Sequence, residues 1–275
     1  MKFFAILLVT LFCSCSQNNE TIKIKGSDTE VNLAVVLAEE FHKVNGDVLV
    51  SVSGGGSGLG LASLLNGNAD IANSSRSMKQ TEFELFKQKK TEIESFVFAQ
   101  DAIAFVVSDQ LTIDSLSTND IAKILSGKYT NWTSLRQNSK PITIYGRQSN
   151  SGTHDYVKSI LNIHFSPYAK QMNGNAQIIE AIKADASGIG YVSAGYVLKG
   201  NTTGIKVLSI YTGKSNAVSP LNAEAIASGS YFFQRPLFQY FKKNDYKKIK
   251  PFLDFEKSTI GAKIIKDSGY YPVNK

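Results

Sequence analysis

Cysteine is nearly missing from this chain. Its 275 residues hold two, Cys13 and Cys15, both within the first fifteen positions. The body of the protein therefore offers no disulfide, no thiol nucleophile and no thiolate metal site. Histidine is almost as scarce: His42, His154 and His164 lack the spacing of a metal site, and no dense group of acids accompanies them. The formal charge of +7 is spread along the sequence without a long basic run, which argues against a nucleic-acid arm while leaving a diffuse positive field that favours small anions. No internal repeat of short period occurs, which excludes a solenoid. The apolar run from Phe3 to Phe12 is too short to span a bilayer as a permanent helix.

That run belongs to targeting. Lys2 supplies a positive start and "CSCS" follows the apolar stretch, so residues 1–14 read as a signal peptide and 15–20 as a polar tether. With Ser14 before Cys15 the pattern resembles a bacterial lipoprotein signal, in which Cys15 is lipidated and becomes the first residue. Phe12, three positions before the cut, is atypical, and plain secretion is the alternative. Removing residues 1–14 takes away one lysine and no acid, so the mature chain stays cationic.

Hydrophobic residues at 43% and charged residues at 19% describe a globular protein, long enough for two domains. "TIKIKG" alternates as a half-buried strand. Val31, Leu33, Val36, Leu37, Phe41 and Val44 then trace a helical stripe, with Asp28 or Thr29 as its cap and Asn45-Gly46 as its end. "VLVSVS", "LGLASLLNGN" and "DIA" continue as strand, helix and strand. The pattern returns in "PITIYG", "SGTHDYVKSILNI", "NAQIIEAIKADA" and "GIGYVSA". Such alternation predicts an α/β fold with mostly parallel sheets flanked by helices. "DAIAFVVS" and "RPLFQYF" stand apart and fit crossings between two sheets. The expected division is a first lobe over 21–102 and 236–275 and a second over 103–235, hinged near Ala102–Phe105 and Arg235–Phe238.

Three segments share one design, in which a strand ends, small hydroxyl and glycine residues follow, and a helix begins. They are "KGSDT", "SGGGSG" and "SGT", which contribute Ser27, Asp28 and Thr29, then Ser57, then Ser151, Gly152 and Thr153. Helix starts carry unpaired N–H groups and the positive end of the helix dipole, and glycine lets an anion approach them. Each loop alone fits an ordinary serine-capped helix start better than an anion site. Leu59 breaks both the dinucleotide fingerprint and the hydrolase elbow, and no lysine completes a nucleotide phosphate loop. Arg147 ends a predicted strand four residues before "SGT", where its planar fork suits a tetrahedral oxyanion.

The segments "GSDT", "GGGSGLG", "GNADIANSSR", "IAKILSGKYTNW", "GRQSNSGT", "GIGYVSAGY" and "RPLFQYF" occur in this order. Together they resemble the phosphate-binding component of bacterial phosphate ABC importers, and the likeness runs from "IKIKGSDT" to "IIKDSGYYPV". It implies a two-lobed periplasmic-binding-protein fold (type II) that is not an enzyme and needs no cofactor. Implied partners are inorganic phosphate, an inner-membrane ABC permease and, through Cys15, a membrane, with no nucleic acid and a monomeric chain held outside the cytoplasm. Carried over by position, Thr29, Ser57, Arg147, Ser151, Gly152 and Thr153 hold the anion, while Asp28, Glu30 and Gly58 could offer backbone N–H groups. Many members place an aspartate where this chain has Ser75, followed by Arg76, which is expected to point inward and add a second positive charge to the site. That aspartate accepts the proton phosphate carries and rejects sulfate, whereas Ser75 can both accept and donate. Sulfate or arsenate binding is the alternative within this class. A secreted phosphatase is the rival outside it, weakened by the lack of a metal cluster or activated nucleophile.

Overall fold

In "TIKIK", Ile22 and Ile24 are fully buried while Lys23 is exposed, the period-two pattern that makes a strand. The computed structural model describes residues 20–273, so the leader and Cys15 lie outside the described residues. The chain opens β1 (Glu20–Gly26), α1 (Val31–Val44), β2 (Val48–Ser53), α2 (Ser57–Leu65), β3 (Ile71–Ser74) and α3 (Gln80–Gln88). It crosses in the long β4 (Ile93–Ser108), then forms β5 (Ser115–Ser117), α4 (Thr118–Leu125), β6 (Thr143–Arg147), α5 (Gly152–Leu161) and β7 (Lys170–Met172). After these come α6 (Asn175–Ala184), β8 (Gly188–Ser193), α7 (Ala194–Lys199), β9 (Ile205–Val207), β10 (Ser209–Tyr211) and α8 (Ala223–Ala227). It returns in β11 (Gln234–Lys242), α9 (Tyr246–Glu256), α10 (Thr259–Asp267) and β12 (Tyr271–Pro272).

The main sheet runs β2-β1-β3-β11-β4-β8-β6-β7, with β9 and β12 also on β4. β1 is parallel to β2 and β3, and β6 to β7 and β8. Pairing turns antiparallel around the crossing strands β4 and β11, so the sheet is mixed. β4 serves both halves: Ile93 to Ala102 pair with β11, and Ile103 to Val107 pair with β8.

The cores divide at the same place. Ile22, Ile24, Leu37, Phe41, Ala99, Leu237 and Phe252 pack together on one side, where the Phe41 and Phe252 rings meet edge-on at 5.3 Å. Truncating Phe41 to alanine there would cost about 3–5 kcal/mol. Ile103 to Val107 join Trp132, Val157, Ile182, Tyr191 and Phe233 in the other core. A smaller cluster of Leu61, Leu64, Ala72, Phe86 and Tyr240 lies over the opposite face of the first half-sheet, because successive residues Ile71/Ala72 and Tyr240/Phe241 point to alternate faces. Helices therefore cover both faces of that sheet.

Candidate functional site

The turns after β1, β2 and β3 are laced together. Gly26 closes β1 at φ +142°, and a Cβ there would lie 2.1 Å from the Asn73 carbonyl oxygen, so only glycine fits. Just beyond it, the Ser27 amide donates to that carbonyl at 2.9 Å and the Ser27 hydroxyl donates to Ser75 Oγ at 3.0 Å. The Ser75 amide donates to Ser57 Oγ at 3.1 Å, at the first residue of α2. Ser27, Thr29, Ser57 and Ser75 are all buried. Burial of so many hydroxyls needs partners, and here they are largely one another.

The second half faces them directly. The Ser151 hydroxyl caps α5 by accepting the Thr153 amide at 3.2 Å, and Thr153 Oγ1 lies 3.1 Å from Thr29 Oγ1 across the divide. A Cβ on Gly152 would lie 2.3 Å from Ser57 Oγ and 2.6 Å from Ser75 Oγ. The N-termini of α2 and α5 thus meet at close range. Two positive dipole ends repel in this arrangement, and an anion between them reverses the sign of that energy.

Arg147 ends β6 with 1% of its surface exposed. Its Nη2 donates to Asp28 at 2.5 Å and to the Asn173 carbonyl at 2.9 Å, while Nη1 is buried without a partner among the described residues. Burial lowers its pKa and Asp28 opposes this; a guanidinium stays charged regardless. Asp28 also accepts the Gly55 amide at 2.8 Å, so its carboxylate orients Arg147 and the glycine loop, leaving only its backbone N–H for an anion. It does not cap α1. Neither does Thr29, because the chain turns into the helix one residue later, at Glu30, without a side-chain cap.

Arg76 does not join the cluster. Its guanidinium turns to Glu82, at 2.6 and 2.8 Å, and its Nε lies 3.0 Å from Asp155, so two carboxylates already hold it. Arg235 stands at the centre instead, and reading the donor loops alone missed it. It donates through Nε and Nη2 to Asp101 at 3.1 and 2.9 Å, through Nη1 to the Ser75 carbonyl at 3.1 Å, and through Nη2 to the Thr29 and Thr153 hydroxyls at 3.0 Å. Asp101, raised by burial against the pull of Arg235, also accepts the Ser193 hydroxyl at 2.6 Å. The available signal was one charge in each of two apolar crossing runs, "QDAIAFVVS" and "QRPLFQYF". Buried charges in such runs require each other.

No hydroxyl in the cluster is bonded to a histidine or other general base among the described residues, and no group of three potential metal ligands occurs among them. What this donor set can do is replace the hydration shell of a small oxyanion. The fold is a two-lobed α/β one, with a cluster of buried hydroxyl and guanidinium donors where the halves meet.

The chain belongs to the PBP superfamily, whose domain model matches residues 15–258. It is 28% identical over 269 residues to the phosphate-binding protein PstS of Borreliella burgdorferi, covering 94% of this chain and 92% of that protein. An ABC-type phosphate transport receptor from Vibrio cholerae superposes with a TM-score of 0.73 at 26% identity, over 92% of this chain and 100% of that one. The fold is also that of a substrate-binding protein from Clostridium perfringens, assigned to a phosphate ABC transporter and solved with bound phosphate. That match has a TM-score of 0.83 at 24% identity, over 93% of this chain and 100% of the other.

Proposed function

We propose that the protein captures inorganic phosphate between its two lobes outside the cytoplasm and delivers it to an ABC-type permease. The observation that carries this reading is the close approach of the α2 and α5 N-termini, together with a buried Arg147 guanidinium that keeps one nitrogen unpartnered among the described residues. Thr29, Ser57, Ser75, Gly152, Thr153 and Arg147 are the groups assigned to the anion, with Ser27 and Ser151 holding their neighbours and Arg235 bridging both lobes. Residues 21–102 with 236–275 form one lobe and 103–235 the other, and parting them exchanges the hydroxyl–hydroxyl bonds for bonds to the ligand.

Calorimetric titration with inorganic phosphate at about pH 7 should show saturable one-site binding, and its absence would remove the assignment. Ser75 in place of an acidic acceptor favours a second reading, in which sulfate binds comparably. The same titration with sulfate decides between them, since a site without an unpaired buried acceptor has little ground for rejecting it. Anchoring through a lipid on Cys15 is part of the proposal. Intact-mass measurement of the mature N-terminus checks it, and an unmodified Cys15 or a different cleavage point would refute it.

A further inference from the structure

Glu30, the residue after Thr29, is wholly buried, yet neither of its carboxyl oxygens has a hydrogen-bond partner. Among the described residues no hydrogen-bond donor and no cation is left for it. Arg235 faces it from β11 but directs its nitrogens to Asp101, the Ser75 carbonyl and the two threonine hydroxyls. Asp101 on β4 faces it as a second acid. Tyr196 on α7 and Tyr270 before β12 present phenols whose own ionisation burial pushes upward. An unpaired buried carboxylate is costlier than a protonated carboxyl. Burial accordingly pushes Glu30 up to about 8, with the neighbouring Ser27 hydroxyl and Arg235 opposing it only in part.

This carboxyl neighbours a run of hydroxyls that reaches the cleft. The Ser27 hydroxyl beside it donates to Ser75 Oγ at 3.0 Å, and Ser75 Oγ lies 3.5 Å from Ser57 Oγ, the group at the head of α2. An anion entering there adds negative charge near a carboxyl that has no cation of its own, and so favours its neutral form. We propose that Glu30 must carry a proton while the anion is held, so that phosphate capture above neutral pH draws a proton from solution onto this residue. The inference rests on the phosphate reading of the cleft and adds a second, ionic requirement to it.

Phosphate titrations near pH 8.5 in buffers of different ionisation enthalpy count the protons taken up on binding. The unmodified protein should take up a large part of one proton more than Glu30→Gln, since the ionisation of phosphate itself is common to both. Equivalently, above about pH 8 its affinity should fall by up to tenfold per pH unit relative to the variant. Equal proton counts and parallel affinity curves would overturn the inference. In case glutamine disturbs the fold, carboxyl-carbon NMR on the unmodified protein gives an independent reading. Glu30 should titrate above neutrality and move higher with phosphate; titration in the ordinary carboxylate range, or no response to phosphate, would also overturn it. Absence of any phosphate binding near pH 7 would defeat the phosphate reading itself, which is a different result from binding without a Glu30-dependent proton.

Discussion

At the scale of single residues, Arg147 and Gly152 give the sharpest tests of the proposed anion site. Arg147 splits its guanidinium between Asp28 and an unpartnered Nη1. Removing it should weaken phosphate binding by at least about 100-fold and cost about 1–3 kcal/mol of stability, because Asp28 loses its cation. In Arg147→Ala/Asp28→Asn the stability should largely return in urea denaturation while the affinity does not. Gly152→Ala tests the opposing helix ends. Alanine is a good helix former, and because Gly152 and Ser57 belong to opposite lobes, parting the lobes relieves the new contact and the urea midpoint should move little. A Cβ 2.3 Å from Ser57 Oγ must nevertheless push donors apart, and affinity measured by calorimetry should fall at least about tenfold. The small and hydroxylated residues of the site were legible in sequence because helix starts select them for chemical reasons. The direction of Arg76 was not, since it is set jointly by Glu82 on α3 and by Asp155, which lies far along the chain and is brought near only by folding.

At the scale of elements, α5 does more than present an N-terminus. In its first turn Asp155 lies 3.0 Å from Arg76 Nε and 2.5 Å from Lys79 Nζ, both in the connection between β3 and α3. Arg76 and Asp155 are largely buried and Lys79 is about half exposed, so the contact joins the two halves, partly shielded from salt, and in the proposed function would latch the closed cleft. Asp155→Asn should weaken phosphate binding by about three- to tenfold, the range of a partly buried ion pair, and flatten its dependence on ionic strength. Titrations in low and high salt check this, and identical salt slopes for both proteins would remove the latch. Strand and helix positions were mostly readable from periodicity, as in β1 and α1. The full length of β4 was not. Its first half lacks the continuous apolar run that marks the second, because half-buried residues of the first lobe line it.

At the scale of the whole molecule, buried acids shape stability against pH. Burial pushes Glu256 up to about 8, as it does Glu30. The Gln239 amide donates to Glu256 Oε1 at 3.0 Å, while Glu256 Oε2 and Gln239 Oε1 both lack partners. Between the ordinary carboxylate value and about 8 the folded protein keeps protons that the unfolded chain has released, so stability is greatest below this window and declines as pH rises through it. Glu256→Gln should remove its share of the decline, on the order of 2 kcal/mol between about pH 5 and 8, in urea unfolding. An unchanged slope would mean that the carboxyl is ionised in the native state. The sequence by itself determined the α/β alternation, the short hydroxyl and glycine turns after strands, and the placing of Arg147 at a strand end, because each follows from local periodicity and local backbone chemistry. Only the tertiary structure decided that Arg235 and Asp101 pair at the centre, that Arg76 faces away and that Glu30 is left without a cation. Those outcomes depend on which distant charges share one low-dielectric space, and that is fixed only when the two crossing strands bring the lobes together.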